Sequence, residues 1–127
     1  MVTREHVEQV LARYCTAETT KDRATWLSLF TGDATVEEAD GSTIRGADAM
    51  RAFFDASVAR LDLDLHETAP PIVVGDEALA FLELHLGRGA DRHVLAPIVD
   101  HFVFDADGRI SSVRAFYDVA GAQPDPA

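Results

Sequence analysis

Apolar residues recur at helical spacing through the first half of the chain. This spacing predicts a first helix over residues 3–19, with Thr3 as its N-cap. Its apolar stripe consists of Val7, Val10, Leu11, Tyr14 and Ala17. A short second helix is predicted to begin near Asp22, and a third to span residues 47–61, where apolar side chains again keep helical spacing.

Strand signals lie between the second and third helices and again after the third. A strand is predicted at 34–38, and the turn signal Asp40-Gly41 joins it to a return at 43–45. Four further strands are predicted at 63–69, 78–86, 93–104 and 109–117, with a break at Pro70-Pro71 and a short piece at 72–74. Three helices followed by a curved, mostly antiparallel sheet predict one cone-shaped α+β domain over residues 1–120, with 121–127 as a flexible tail.

The charge balance excludes some partners. Eleven Lys and Arg face 22 Asp and Glu in 127 residues, a formal charge of −11, so neither nucleic acid nor an anionic membrane surface is an expected partner. The single cysteine, Cys15, allows no intrachain disulfide, and a cytoplasmic location is expected. The N-terminal segment lacks the long apolar run of a signal peptide or membrane span.

Polar residues stand at three places where chemistry is possible. Tyr14 lies in the apolar stripe, where its hydroxyl either bonds a backbone carbonyl in the core or faces a pocket. Asp100 alternates with apolar residues on its strand, so it either projects into an apolar layer as a neutral acid, or a bulge turns it to solvent or to Arg114. Glu38 and Asp40 lie at a strand end, where a solvated edge carboxylate is the plain alternative to a functional role.

Several segments resemble the bacterial ketosteroid isomerases of the NTF2-like, SnoaL-like superfamily. The resemblance rests on Arg13-Tyr14, Leu29-Phe30, Asp33 to Glu38, Ala96 to Phe102 and Val113 to Phe116. It implies a steroid Δ-isomerase with Tyr14 and a protonated Asp100 as donors to a dienolate oxygen, and Glu38 as the base, an arrangement that is a known example of pKa tuning. It further implies no cofactor, a small apolar substrate such as a steroid, and a homodimer. The residues expected to line the substrate pocket are Phe53, Phe54, Phe81, Leu95, Val99 and Phe116.

The chain departs from the family pattern at three places. The family base is an aspartate followed by proline, whereas Glu38 is followed by Ala39. One extra methylene moves the carboxylate by about 1 Å, and such a misplacement can cost about a hundredfold in rate. Asp40 is the reserve candidate for the base. Phe54 stands where the family often has a second tyrosine, which predicts a shorter hydrogen-bond network around Tyr14, and the extra Val99 before Asp100 predicts a bulge or a changed register.

Two other classes of function remain open from the sequence. A related enzyme of the polyketide cyclase or epoxide hydrolase type would keep the fold and change the chemistry. A small-ligand-binding domain without catalysis would not require acids at all three positions. The spacing of the histidines predicts no metal site, although Glu83 and His85 are expected to share a strand face.

Overall fold

The helices begin where side chains can cap them. The computed structural model describes residues 2–121 and 123–124. Helix α1 spans Arg4–Thr20, and the Thr3 side chain accepts a hydrogen bond from the backbone N–H of His6. Helix α2 spans Arg23–Ser28, capped in the same way by Asp22. Helix α3 spans Ala47–Phe53 and continues as a π-helical turn at Phe54–Val58, so it ends three residues before the predicted boundary.

The strands form one mixed sheet. They are β1 (Phe30–Glu37), β2 (Thr43–Arg45), β3 (Leu63–Val74), β4 (Glu77–Leu86), β5 (His93–Phe104), β6 (Ile110–Phe116) and β7 (Gln123–Pro124), and a 3₁₀ turn at Gly89–Asp91 precedes β5. The order across the sheet is β2-β1-β6-β5-β4-β3, and β7 pairs with β5. The β1–β6 pair is parallel and the other pairs are antiparallel, which confirms an α+β fold with a mostly antiparallel sheet.

The predicted break at Pro70-Pro71 is wrong, because β3 continues through both prolines to Val74. β3 is an edge strand, and a proline there loses no ladder hydrogen bond when its nitrogen faces the open side. The pairing with β4 shifts register between Glu67 and Ile72, which absorbs the irregularity. The short piece predicted at 72–74 is therefore the end of this strand.

The core lies between the helices and the inner face of the sheet. Its largest fully buried side chains include Trp26, Phe54 and Phe102, each of which stabilises the fold by about 1.5–3 kcal/mol. Cys15 is buried there too, and burial raises the pKa of its thiol. No helix of the described residues is long and apolar enough to cross a membrane.

The predicted tail at 121–127 lies partly outside the described residues, which exclude 122 and 125–127. Gln123 and Pro124 pair with Val94 and His93 on β5.

Candidate active site

An apolar cavity of about 260 Å³ lies between the helices and the inner face of the sheet. Much of its wall is leucine: Leu61, Leu63, Leu65, Leu82, Leu84 and Leu95. Three carboxyl groups line it, those of Glu18, Glu38 and Asp100. Among the described lining residues there is no lysine or arginine. The nearby Lys21 lies outside the lining, and its charge lowers the pKa of Glu18.

Tyr14 lies on the buried face of α1 and lines the cavity. Its ring packs edge-on against Phe102, with ring centroids 5.5 Å apart. The carboxyl group of Glu18, one helical turn along α1, lies within hydrogen-bonding reach of the hydroxyl. Burial, followed by the charge of Glu18, raises the pKa of the Tyr14 phenol well above its ordinary value, so the phenol keeps its proton.

Glu18 is a site residue that the sequence analysis missed. The indole N–H of Trp26 donates to its Oε2 at 3.1 Å, and the Tyr14 hydroxyl is its second partner. Burial raises the pKa of Glu18 to about 7, although both hydrogen bonds act in the opposite direction. Near neutral pH the group therefore exchanges between a carboxylate that accepts from Tyr14 and an acid that donates to the Tyr14 oxygen.

The hydrogen-bond network around Tyr14 runs through Glu18 and not through a second tyrosine. Phe54 does not replace the lost tyrosine, since it packs in the core with its ring centroid 5.3 Å from that of Trp26. Glu18 and Trp26 extend the network in another direction instead. A signal for Glu18 exists in the sequence, because residues four apart on a helix share a face and Tyr14 already marks the buried one.

Asp100 projects into the apolar layer of β5, and its residue surface is only 6% exposed. Its side chain alternates inward together with Ile98, Phe102 and Phe104. Within the described part of the chain, its Oδ1 is buried and meets no hydrogen-bond partner. Burial, followed by the charges of Glu18 and Glu38, raises the pKa of Asp100 to about 8, so at neutral pH it is a carboxylic acid with an O–H to donate.

The alternatives that turn Asp100 away from the cavity are wrong. Arg114 lies on the other side of the sheet, where its guanidinium contacts Glu37 at 3.6 Å and stacks over the ring of Phe116. The pairing of β4 with β5 does shift register, between Leu82 and Leu84. That irregularity lies before Asp100, brings Leu95 inward, and leaves the alternation from Ile98 onward intact.

Glu38 follows the last residue of β1 and reaches the cavity from its rim. Its backbone N–H donates to the carbonyl oxygen of Ser42, which fixes the turn that carries it. Partial burial, then the nearby charge of Asp40, raises the pKa of Glu38. The reserve base Asp40 lies outside the cavity lining, because its exposed carboxylate accepts hydrogen bonds from the backbone N–H and hydroxyl of Ser42, and these lower its pKa.

Of the six residues predicted to line the pocket, the structure places two there. Phe53 and Leu95 line the cavity. Phe54 is buried in the core beside it, and Phe81, Val99 and Phe116 form a cross-strand row on the opposite face of the sheet. The register corrects the prediction for the three strand residues, since Leu82, Ile98 and Ala115 are the neighbours that alternate inward. The prediction for Phe54 is wrong because its side chain packs into the core from the turn after α3.

Tyr117 is a further lining residue that the sequence analysis missed. It follows β6, one position after Phe116, which was predicted in its place. Burial, and then the charges of Glu38, Asp40 and Asp100, raises the pKa of its phenol. The cavity thus brings together two phenols and three carboxyl groups.

The fold and the cavity define a class of protein: a small α+β domain with an apolar cavity. The cavity is lined by the buried proton donors Tyr14 and Asp100 and by the half-buried carboxyl group of Glu38. Residues 11–113 match the SnoaL-like domain family, and the chain belongs to this family. Steroid Delta-isomerase of Nocardioides simplex is 34% identical over 112 residues, which cover 87% of this chain and 89% of that protein. The predicted relationship to the ketosteroid isomerases of this superfamily is confirmed, and so is the expectation of an isomerase.

Solved structures share the fold. The Mycobacterium tuberculosis protein RV0760c has a TM-score of 0.83 and 22% identity, covering 97% of this chain and 98% of its own. A second structure of that protein, in complex with estradiol-17beta-hemisuccinate, has a TM-score of 0.81 and 22% identity, covering 93% and 98%. A computationally designed 17-OHP binder has a TM-score of 0.81 and 20% identity, covering 96% and 98%.

Proposed function

We propose that this chain is a steroid Δ-isomerase that moves the double bond of a β,γ-unsaturated 3-oxosteroid into conjugation with the carbonyl group. The observation that carries the proposal is the buried Oδ1 of Asp100, which no described residue satisfies, in the cavity that Tyr14 also lines. An unsatisfied buried carboxyl group is costly unless a ligand supplies its partner. A ketone oxygen that becomes an enolate is such a partner.

The reaction needs one base and two donors. The Glu38 carboxylate removes the proton from the carbon between the carbonyl group and the double bond. The electron pair of that C–H bond moves toward the carbonyl oxygen and gives a dienolate. Tyr14 and protonated Asp100 donate hydrogen bonds to this oxygen, and such donors are most effective in a dry site. Glu38 then returns the same proton to the far end of the diene, so atoms and charge balance without a cofactor.

Glu18 sets the hydrogen-bond direction at Tyr14. A Tyr14 hydroxyl has one proton, and an ionised Glu18 takes it as an acceptor. A protonated Glu18 instead donates to the Tyr14 oxygen and leaves the Tyr14 O–H directed at the substrate. The active state therefore has protons on Glu18 and Asp100 and none on Glu38.

These protonation states define the pH dependence. Activity rises as Glu38 loses its proton, above its ordinary value of 4.5 because its pKa is raised. Activity falls again as Glu18 and Asp100 ionise, with pKa values of about 7 and about 8. Because all three groups line one cavity, their ionisations interact. The acidic and alkaline limbs of the pH–activity profile therefore belong to the three groups together and not to single residues.

The substrate class follows from the cavity and from the relative. A volume of about 260 Å³ lies near the lower end of the range of roughly 300–1,000 Å³ that is common for small-molecule sites. Its apolar wall favours a flat hydrocarbon skeleton, with the polar atom at the Tyr14 and Asp100 end. The 34% identical relative carries the name of this activity.

The test follows the conjugated enone by its ultraviolet absorbance after a Δ5-3-ketosteroid is added. We expect turnover by the unchanged chain, loss of turnover in Glu38→Gln with steroid affinity retained, and reduced turnover in Tyr14→Phe and Asp100→Asn. Asp40→Asn is the matched control, because Asp40 lies outside the cavity lining, and it should keep turnover. Steroid binding without turnover would identify a binding domain instead, and turnover that survives Glu38→Gln would refute the assigned base.

The resemblance also implies a homodimer and a cytoplasmic location, which we retain as part of the proposal. Size-exclusion chromatography with light scattering should give twice the chain mass of 13.8 kDa. A mass equal to one chain would refute the dimer without affecting the proposed chemistry.

A further inference from the structure

Four polar side chains converge on the outer face of the sheet, behind the cavity wall. Asp64 and His66 lie two apart on β3, and Glu83 and His85 lie two apart on β4, so each pair shares a face. The register places Asp64 opposite His85 and His66 opposite Glu83. The residues between them, Leu65 and Leu84, point the other way and line the cavity.

Three of these four side chains already contact one another through the carboxylate of Glu83. Oε2 of Glu83 lies 3.1 Å from Nε2 of His66 and 3.0 Å from Nε2 of His85. The two imidazole rings stack with their centroids 5.2 Å apart. One ligand atom from each of the three residues lies within 4.8 Å of the others.

The two distances to Glu83 are close to those of a zinc coordination shell, and the third, between the two histidines, lies within 4.8 Å. Zinc binds histidine nitrogen and carboxylate oxygen at about 2.0–2.2 Å, which puts tetrahedral ligand atoms about 3.3–3.5 Å apart. The two contacts to Glu83 need to lengthen by only a few tenths of an ångström. The three side chains are 45%, 30% and 16% exposed for His66, Glu83 and His85, so an ion can enter while the site stays partly shielded.

Asp64 supplies the outer partner that zinc-binding histidines commonly have. Its Oδ1 lies 3.8 Å from Nδ1 of His66. Before an ion binds, Nε2–H of His66 donates to Glu83. A carboxylate beside Nδ1 favours the tautomer in which the proton lies on Nδ1, so that Nε2 can bind the ion.

We propose that His66, Glu83 and His85 form a binding site for a divalent transition-metal ion, Zn²⁺ above all, with Asp64 orienting His66. Two imidazoles and a carboxylate select zinc over Mg²⁺ or Ca²⁺, which prefer sites built of oxygen alone. The ion joins β3, at the sheet edge, to β4. Because Leu65 and Leu84 alternate with its ligands, the ion stiffens one wall of the cavity without touching the reacting groups.

The test is a titration of the full chain, without a histidine tag, with Zn²⁺ in a non-coordinating buffer by isothermal calorimetry. We expect one ion per chain at micromolar affinity or tighter, and a rise in the thermal midpoint. Loss of an outer partner costs about 10- to 100-fold in affinity, so we expect a loss in that range for Asp64→Asn and a larger one for His66→Ala and for His85→Ala. Titration with Co²⁺ alone should give the visible absorbance of a tetrahedral site.

The control is a histidine–glutamate pair elsewhere on the outer face of the sheet. His101 Nε2 lies 2.7 Å from Oε1 of Glu77, in a pair with no third ligand among the described residues. His101→Ala should therefore leave zinc affinity unchanged. Affinity that is equally retained in His66→Ala and His85→Ala, or no heat of binding in the unchanged chain, would overturn the proposal and leave Glu83 as a hydrogen-bond link between two imidazoles. Circular dichroism of each variant separates a lost ligand from a lost fold.

Discussion

Replacing Asp100 by asparagine should flatten the pH dependence of stability. The folded chain holds a proton on Asp100 up to a pKa of about 8, whereas the unfolded chain releases it near the ordinary value of 3.8. The stabilisation from this proton is fully present below pH 3.8 and is lost as pH rises through about 8. Asparagine has a similar shape and no proton to lose, so the variant lacks this decline.

The size of the effect follows from the two pKa values of Asp100. Linkage gives at most 1.36 kcal/mol per pH unit for one proton, so the unchanged chain should lose about 3–4 kcal/mol from this group between pH 5 and pH 8. Glu18 adds a loss of the same sign, because its pKa of about 7 is also raised. The difference between the two proteins isolates the part that belongs to Asp100.

The assay is urea unfolding at pH 5, 6, 7 and 8, followed by circular dichroism, with the slope m compared at each pH. The free energy of unfolding of Asp100→Asn, minus that of the unchanged chain, should increase steadily as pH rises. Asp40→Asn is the control: its pKa is lowered, so its contribution is lost only as pH falls below the ordinary value of 3.8, outside the assay. Parallel pH profiles for the unchanged chain and Asp100→Asn would refute a protonated, buried Asp100.

Further outcomes follow from other groups. Glu18→Gln should change the alkaline limb of the pH–kcat profile from two ionisations to one, that of Asp100, whose pKa also loses the contribution of the Glu18 charge. A limb that still shows two ionisations would contradict the role given to Glu18. Phe102→Ala, at a fully buried position, should lower the free energy of unfolding by about 3–5 kcal/mol in denaturant titration. Gly87→Ala should lower the thermal midpoint more than Gly41→Ala. Both glycines have positive φ, but of the two only Gly87 would place an added Cβ 2.8 Å from a backbone carbonyl oxygen. Equal shifts in the two variants would show that the positive φ, and not this close contact, determines the loss of stability.

Local signals account for what the sequence predicted well. Thr3 and Asp22 cap their helices through contacts three residues away, and the Asp40-Gly41 turn depends on its own residues. The inward position of Asp100 also follows from alternation within one strand. Each of these inferences needs only a short stretch of chain.

The errors come from pairings between distant segments. Nothing in a single strand says that β3 is an edge strand, and so Pro70-Pro71 was predicted to end it. The placement of Phe81 and Val99 depends on register across β4 and β5, and that of His66 beside Glu83 depends on register across β3 and β4. Glu18 was missed because its burial comes from the packing of Trp26 as well as from its own helix.

The positions of the reacting groups in the fold have a consequence for how substrate range can change. The two proposed donors to the oxyanion lie within regular elements, Tyr14 in the middle of α1 and Asp100 in the middle of β5, where neighbouring hydrogen bonds hold the backbone. Glu38 lies in the connection after β1. If Glu38 is the base as proposed, insertions or substitutions in that connection shift the point of proton abstraction along a substrate while the proposed carbonyl anchor stays in place. The reach of the base can then diverge between proteins that keep the same two donors.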